Sequence, residues 1–126
     1  SGRPVHTTPQ MDVFTLSERL TSNGLRVLDA REQDEWDDGH IEGAVLMPYT
    51  QLAPQLGRPP RFDDLGLDKE VSIAVTCATG NRSSTAIGLM LREGYTRLYN
   101  VTGGMEAWGH AGLPMVDATG AACSIG

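Results

Sequence analysis

The chain has 126 residues, 40% hydrophobic and 21% charged, a length and composition that suit one globular domain with a single core and exclude a disordered polymer. Net charge is −6, and the ten basic residues include one lysine, Lys69, so the clustered positive charge that nonspecific nucleic-acid binding needs is missing. No apolar run approaches the ~18 residues that span a bilayer, and no basic segment leads into an apolar stretch as in a signal peptide.

Residues 1–10 are polar, with Pro4 and Pro9, and read as a loose lead-in. The Ser1-Gly2 start, without a methionine, resembles a cloning remnant, so a longer natural protein, or a domain cut from a fusion, is compatible with the sequence. Thr15-Leu16-Ser17-Glu18 matches a capping box, which predicts a helix starting near Leu16 and ending at Asn23-Gly24. Residues 25–30 read as a buried strand ending in Asp29-Ala30-Arg31. The acidic run 32–38, with Trp36 as its large apolar group, predicts a helical turn closed by Gly39 and a solvated face. Residues 45–48 predict another strand, 51–56 a helical turn, and 57–65, with Pro59-Pro60, a loop.

Residues 71–76 form a short, mostly β-branched run that reads as a strand and runs into Cys77. Gly80 and Asn81 favour a tight turn. Ala86, Ile87, Met90 and Leu91 then set a helical stripe that Gly94 closes. Residues 97–101 predict a further strand, and Gly103-Gly104 opens a helical turn through Trp108. Residues 109–126 show no clear period. Alternating strands and helices imply an α/β fold with a mostly parallel sheet, whose ligands bind at the carboxyl ends of the strands. Nothing in the interior divides the chain into two domains.

Cys77 therefore stands between a strand's carboxyl end and a helix's amino end. Unpaired N–H groups and the helix dipole favour negative charge there, and Arg82 adds a permanent cation. Such a thiol is expected to ionise more easily than a free cysteine at about 8.5 and to act as a nucleophile. Most cysteines of this kind of chain are instead small buried hydrophobes. The Gly-Asn turn and the neighbouring Arg82 argue against burial, yet local sequence leaves both readings open.

Several segments together resemble the rhodanese homology domain. The stretches 28–32, Glu35-Trp36 and 39–44 look like its amino-terminal signature; Cys77-Ala78-Thr79-Gly80-Asn81-Arg82-Ser83 resembles its active-site loop; Gly94-Tyr95, 101–105 and Ala107-Trp108 resemble its carboxyl-terminal signature. The resemblance covers about residues 11–114 and leaves 115–126 as an extension. It implies a rhodanese-like α/β fold with about five central, mostly parallel strands flanked by helices, and sulfur transfer through a cysteine persulfide. Cys77 becomes the nucleophile, the backbone N–H groups of residues 78–83 become the cradle, and Arg82 stands where members often carry a substrate-facing cation. The implied partners are a small anionic sulfur donor and a thiol or protein acceptor, with no metal or organic cofactor. Phosphatases and arsenate reductases of similar fold have one residue more between cysteine and arginine, so the shorter loop here favours sulfur over phosphate. Some relatives lack the cysteine and only dock partners; this chain keeps it, though a sensor or docking module remains the alternative.

Other residues read as structural. Asp29 and Arg31 suit a pair at a strand end, His40 a hydrogen-bonded turn, and Trp36 and Trp108 core packing. His6 and His110 show no ligand spacing for zinc. Two cysteines make no disulfide scaffold, and a working thiol fits a reducing compartment, here taken as the cytoplasm. Cys123 reads as an ordinary thiol in the tail; as a relay for sulfur from Cys77 it would need the tail to fold back.

Overall fold

The computed structural model describes residues 9–21, 25–48, 69–78, 81–117 and 119–123. Among them are the strands β1 (Gln10–Met11), β2 (Leu25–Asp29), β3 (Val45–Leu46), β4 (Ser72–Thr76), β5 (Leu98–Val101), β6 (Met115–Val116) and β7 (Ala122–Cys123). The helices are α1 (Val13–Thr21), α2 (Gln33–Asp38), α3 (Asn81–Arg92) and α4 (Gly104–His110). Five strands make one sheet in the order β1-β5-β4-β2-β3, with every pair parallel. The expected α/β architecture, with its central parallel sheet between helices, is the one observed.

Strand alternation divides the core into two layers. Ile73, Val75 and Cys77 point to one face of β4, where they pack with Leu28, Leu98 and the α3 residues Ala86, Ile87 and Met90. Ala74 points to the other face, where Val27 and Val101 meet Val13 and Leu16 of α1 and Met105 and Trp108 of α4. The expected helical stripe on α3 is thus the face that covers the sheet. Gly94, at φ +100°, follows the end of α3 as expected.

The structure corrects several expectations. Helix α1 starts at Val13, ahead of the expected capping box, because the Asp12 carboxylate accepts the Thr15 N–H at 2.7 Å. That bond also holds Asp12 below its ordinary value. Gln10 belongs to an edge strand instead of a loose lead-in: it pairs with Asn100, and Met11 pairs with Val101. Two residues are too short to show a period, and their role is to satisfy the open edge of β5. Trp36 is half-buried, not core, because six-residue α2 buries no residue; its ring stacks on His40 at 3.6 Å. Trp108 is buried as expected, its indole N–H donating to the Pro114 carbonyl at 2.9 Å. The tail forms a short antiparallel β6–β7 hairpin, and Met115 is buried against the second core layer. The expected helix end at Asn23-Gly24, the turn at 51–56 and the loop at 57–65 lie outside the described residues.

Asp29 and Arg31 form the structural pair their position suggested. Arg31 donates through Nε and a terminal nitrogen to the Asp29 carboxylate at 2.9–3.1 Å, and that nitrogen also reaches the Gly39 carbonyl at 2.6 Å. Their side chains are 5% and 1% exposed, so the pair joins the end of β2 to the end of α2 from inside. Asp29→Ala would leave a buried guanidinium without its counter-charge, at a cost of about 3–5 kcal/mol. Urea denaturation should show that loss, with the slope of the transition unchanged.

Candidate active site

Cys77 follows directly on the carboxyl end of β4, the central strand of the sheet. The loop it opens is anchored from the side by α4. The Met105 N–H donates to the Cys77 carbonyl at 2.7 Å, and the Glu106 N–H donates to the Ala78 carbonyl at 2.9 Å. Amides that a helix start leaves unpaired thus find partners in the loop. A trans peptide sets its C=O and N–H in opposite directions, so the Ala78 N–H points away from α4.

This approach needs glycine at position 104. Its φ is +57°, and a Cβ there would overlap the Cys77 carbonyl oxygen and come within 2.8 Å of the Ala78 carbonyl oxygen. The Gly-Gly pair of the carboxyl-terminal signature thereby acquires a physical meaning: it lets a helix start touch the backbone of the cysteine loop.

The cysteine itself is buried, with no exposed surface. The expectation that the Gly-Asn turn and Arg82 would keep it at the surface is corrected. The cause is alternation: Cys77 shares the inward face of β4 with Ile73 and Val75 and lies beneath α3. Its Sγ donates to the Ser83 hydroxyl at 3.6 Å, and Ser83, also fully buried, donates to Oδ1 of Asn100 on β5. Of the other expected cradle residues, Ala78 is half-buried, Asn81 begins α3, and Thr79 and Gly80 lie outside the described residues.

Arg82 is committed to a carboxylate. Its two terminal nitrogens meet the two oxygens of Glu35 at 2.8 and 2.9 Å in a fork-to-fork pair. The same Glu35 accepts the Glu32 N–H at 2.9 Å, which closes the first turn of α2. The hydrogen bond from Arg82 is the leading cause that holds Glu35 below its ordinary value, and Glu35 in turn raises Arg82, with a smaller Coulombic contribution from Cys77. The cation expected to face a donor is therefore near the sulfur but already paired.

His40 is structural, as expected: Nδ1 sits 2.9 Å from the Trp36 carbonyl, and its backbone pairs with Val116. Among the described residues no His, Cys, Asp and Glu cluster could hold a metal ion, and no helix is long and apolar enough to cross a membrane. Cys123 lies in β7, paired through its backbone with Met115. Sequence reasoning missed two residues here. Asn100 had a signal, a lone amide on the inward face of an apolar strand, whereas Glu35 was absorbed into an acidic run that looked merely solvated.

A parallel α/β sheet with a thiol at the carboxyl end of its middle strand, bounded by α3 and α4, defines the class. The Rhodanese-like domain model matches residues 13–111, and the chain belongs to that family. It is 33% identical over 110 residues to "Thiosulfate sulfurtransferase 16, chloroplastic" of Arabidopsis thaliana, covering 84% of this chain and 92% of that one. It is 30% identical over 112 residues to "Sulfurtransferase" of Allochromatium vinosum, covering 88% and 97%. The crystal structure of a rhodanese-related protein from Thermoplasma volcanium superposes with a TM-score of 0.70 at 29% identity, covering 86% of this chain and 97% of that one.

Gly104→Ala should move the Cys77–Ala78 backbone as well as strain position 104, at a cost of about 1–3 kcal/mol. Thermal denaturation reads the loss of stability. The rate of Cys77 alkylation in the folded variant reads the displaced loop and should differ from wild type by at least about threefold, corresponding to roughly 0.7 kcal/mol.

Proposed function

We propose that the protein is a sulfurtransferase that moves a sulfane sulfur from thiosulfate or a persulfide donor to a thiophilic acceptor through a Cys77 persulfide. The observation that carries this reading is the position of Cys77 at the carboxyl end of β4, in a loop braced by α4, with a hydroxyl at its sulfur and an arginine nearby. The sulfurtransferase names of two relatives support it.

In the first step the Cys77 thiolate attacks the outer sulfur of the donor. With thiosulfate the S–S bond breaks, its electron pair leaves on sulfite, and Cys77 carries Sγ–S⁻. In the second step a thiolate or another soft nucleophile attacks that outer sulfur, and the electron pair returns to Sγ. There is no net redox change, and neither step calls for a metal or an organic cofactor. Backbone amides of residues 78–83 are assigned to the outer sulfur, where fixed dipoles act without reorganising. The four residues between Cys77 and Arg82 favour sulfur over a phosphate ester or arsenate.

Because Cys77 is closed to solvent in the resting protein, a donor reaches it only after the groups over the sulfur shift. Loading therefore reports opening as well as chemistry. The same burial is the one observation that favours the second reading, a docking or sensor module whose thiol does no transfer. The donor is assigned as a small anion and the acceptor as a thiol or a protein thiol. A reducing compartment suits both; the cytoplasm provides one, and the relatives include proteins named chloroplastic and mitochondrial.

Intact-mass analysis after thiosulfate or a persulfide donor should show a gain of one sulfur that dithiothreitol removes and that Cys77→Ala does not acquire. Wild-type protein that gains none from either donor would favour the docking module. Glu35→Gln keeps an acceptor for the Glu32 N–H but releases the Arg82 guanidinium. It should raise kcat/KM for thiosulfate by about 3–10-fold, whereas Arg82→Ala should lower it by about 10–100-fold, the size of one charge-assisted contact. Steady-state sulfite release checks both.

A further inference from the structure

We propose that Ser83 and Asn100 form a two-position hydrogen-bond relay beneath Cys77 that accommodates its sulfur as thiol and as thiolate, which makes both of them positioning residues. The purpose of the relay rests on the sulfur-transfer reading above; its geometry does not.

The relay joins three elements. Cys77 follows β4, Ser83 lies in the first turn of α3, and Asn100 is on β5, where its backbone pairs with Val75. Cys77 and Ser83 have no exposed surface and Asn100 is 9% exposed, so bulk water does not substitute for a missing partner. Asparagine is also disfavoured in strands, and Leu98, two residues earlier on the same face, is core. An amide kept at such a position has a partner to serve.

With the thiol present, Sγ–H donates to Ser83 Oγ, and the Ser83 hydroxyl donates to Asn100 Oδ1. The thiol and hydroxyl hydrogens are then both matched. When the sulfur gives its proton to solvent it becomes an acceptor only, and a buried anion needs donors. The Ser83 hydroxyl has one hydrogen, which turns to the sulfur. Asn100 then turns its amide about the Cβ–Cγ bond and offers Nδ2–H to Ser83 Oγ. Both bonds survive with their direction reversed. An amide can do this because it carries a donor and an acceptor on one plane; a carboxylate or an apolar side chain cannot.

The reversal follows the chemistry of the inner sulfur. In Cys77–Sγ–S⁻ the charge sits on the outer atom, so the Ser83 hydroxyl returns to Asn100 Oδ1. When an acceptor thiolate attacks the outer sulfur, the S–S bond breaks and its electron pair returns to Sγ. Charge develops where the hydroxyl can turn to meet it.

Charged groups on the elements that pack about Cys77 are Arg82 on α3, with its partner Glu35 and the adjacent Glu32 on the α2 side, the Asp29–Arg31 pair at the end of β2, and Glu106 at the start of α4. All are retained in the variants below.

The test is the pH profile of iodoacetamide alkylation of Cys77 in the full chain, read by peptide mapping so that Cys123 is counted separately. Ser83→Ala should move the profile to higher pH by about one unit, seen as a roughly tenfold slower reaction on its rising limb, and Ser83→Thr should restore most of it. Asn100→Asp, near-isosteric but acceptor-only, should also move the profile upward by holding the Ser83 hydrogen. A carboxylate repels a thiolate directly as well, so the deciding measurement is the double variant. With Ser83→Ala in place, Asn100→Asp should add at most about a third of the shift it causes alone. Folded variants in which Ser83→Ala leaves the profile unmoved, or in which Asn100→Asp shifts it equally with and without the hydroxyl, overturn the relay. Sulfur uptake by intact mass is a separate readout: a relay that passes while wild-type Cys77 takes up no sulfur refutes the transfer reading alone.

Discussion

Two backbone hydrogen bonds hold the Cys77–Ala78 backbone in place. The Met105 and Glu106 amides take the Cys77 and Ala78 carbonyls, and they reach them because Gly104 has no side chain to keep the chains apart. The bonds satisfy a helix start and a strand end at once, groups that would otherwise be buried without partners. They also bring the carboxyl-terminal helix against a loop that lies far from it in sequence. Once the carbonyls are held on the α4 side, the direction of the Cys77 backbone is set. Strand alternation then sends its side chain to the α3 side, onto Ser83.

Charge is handled by pairing close at hand. Asp29 and Arg31 neutralise each other inside the domain, and Glu35 and Arg82 do so at partial exposure. In a chain of net charge −6, an unpaired carboxylate beside the sulfur would oppose a thiolate. The fork between Glu35 and Arg82 removes that opposition, and it also keeps the guanidinium engaged. Glu35 additionally closes the first turn of α2, so the acidic helix, the cation and the sulfur form one connected region.

Much of this was legible in the sequence. The β-branched run before Cys77, the stripe on α3 and the Gly94 stop declare a strand, a loop and a helix because periodicity and turn chemistry are local. The alternation of strands and helices added the parallel sheet and the family motifs its five strands, and the roles of Asp29, Arg31 and His40 followed from their place at element ends. What stayed hidden was non-local. Gln10 and Met11 form a strand only because β5 offers an edge, and Trp36 misses the core because α2 is short and peripheral. The depth of Cys77 depends on which face of β4 it occupies once α3 has docked. Glu35 and Arg82 are 47 positions apart, and no pattern along the chain announces that they meet.

The burial of Cys77 changes how the site has to work. A sulfur at the surface can be stabilised by water and by any nearby cation. One beneath α3 has neither freely available, since water is excluded and Arg82 is held by Glu35. Low local dielectric makes each remaining dipole count for more, and it penalises each one that points the wrong way. Neutral groups with fixed backbones and rotatable hydrogens suit that setting, because they change sign without moving charge through the interior. A hydroxyl backed by an amide is such a group, and it is what lies against this sulfur. Burial, the pairing of Arg82 and the polar contact below Cys77 are therefore three aspects of one arrangement, in which neutral dipoles lie against the sulfur and the nearby cation is already paired.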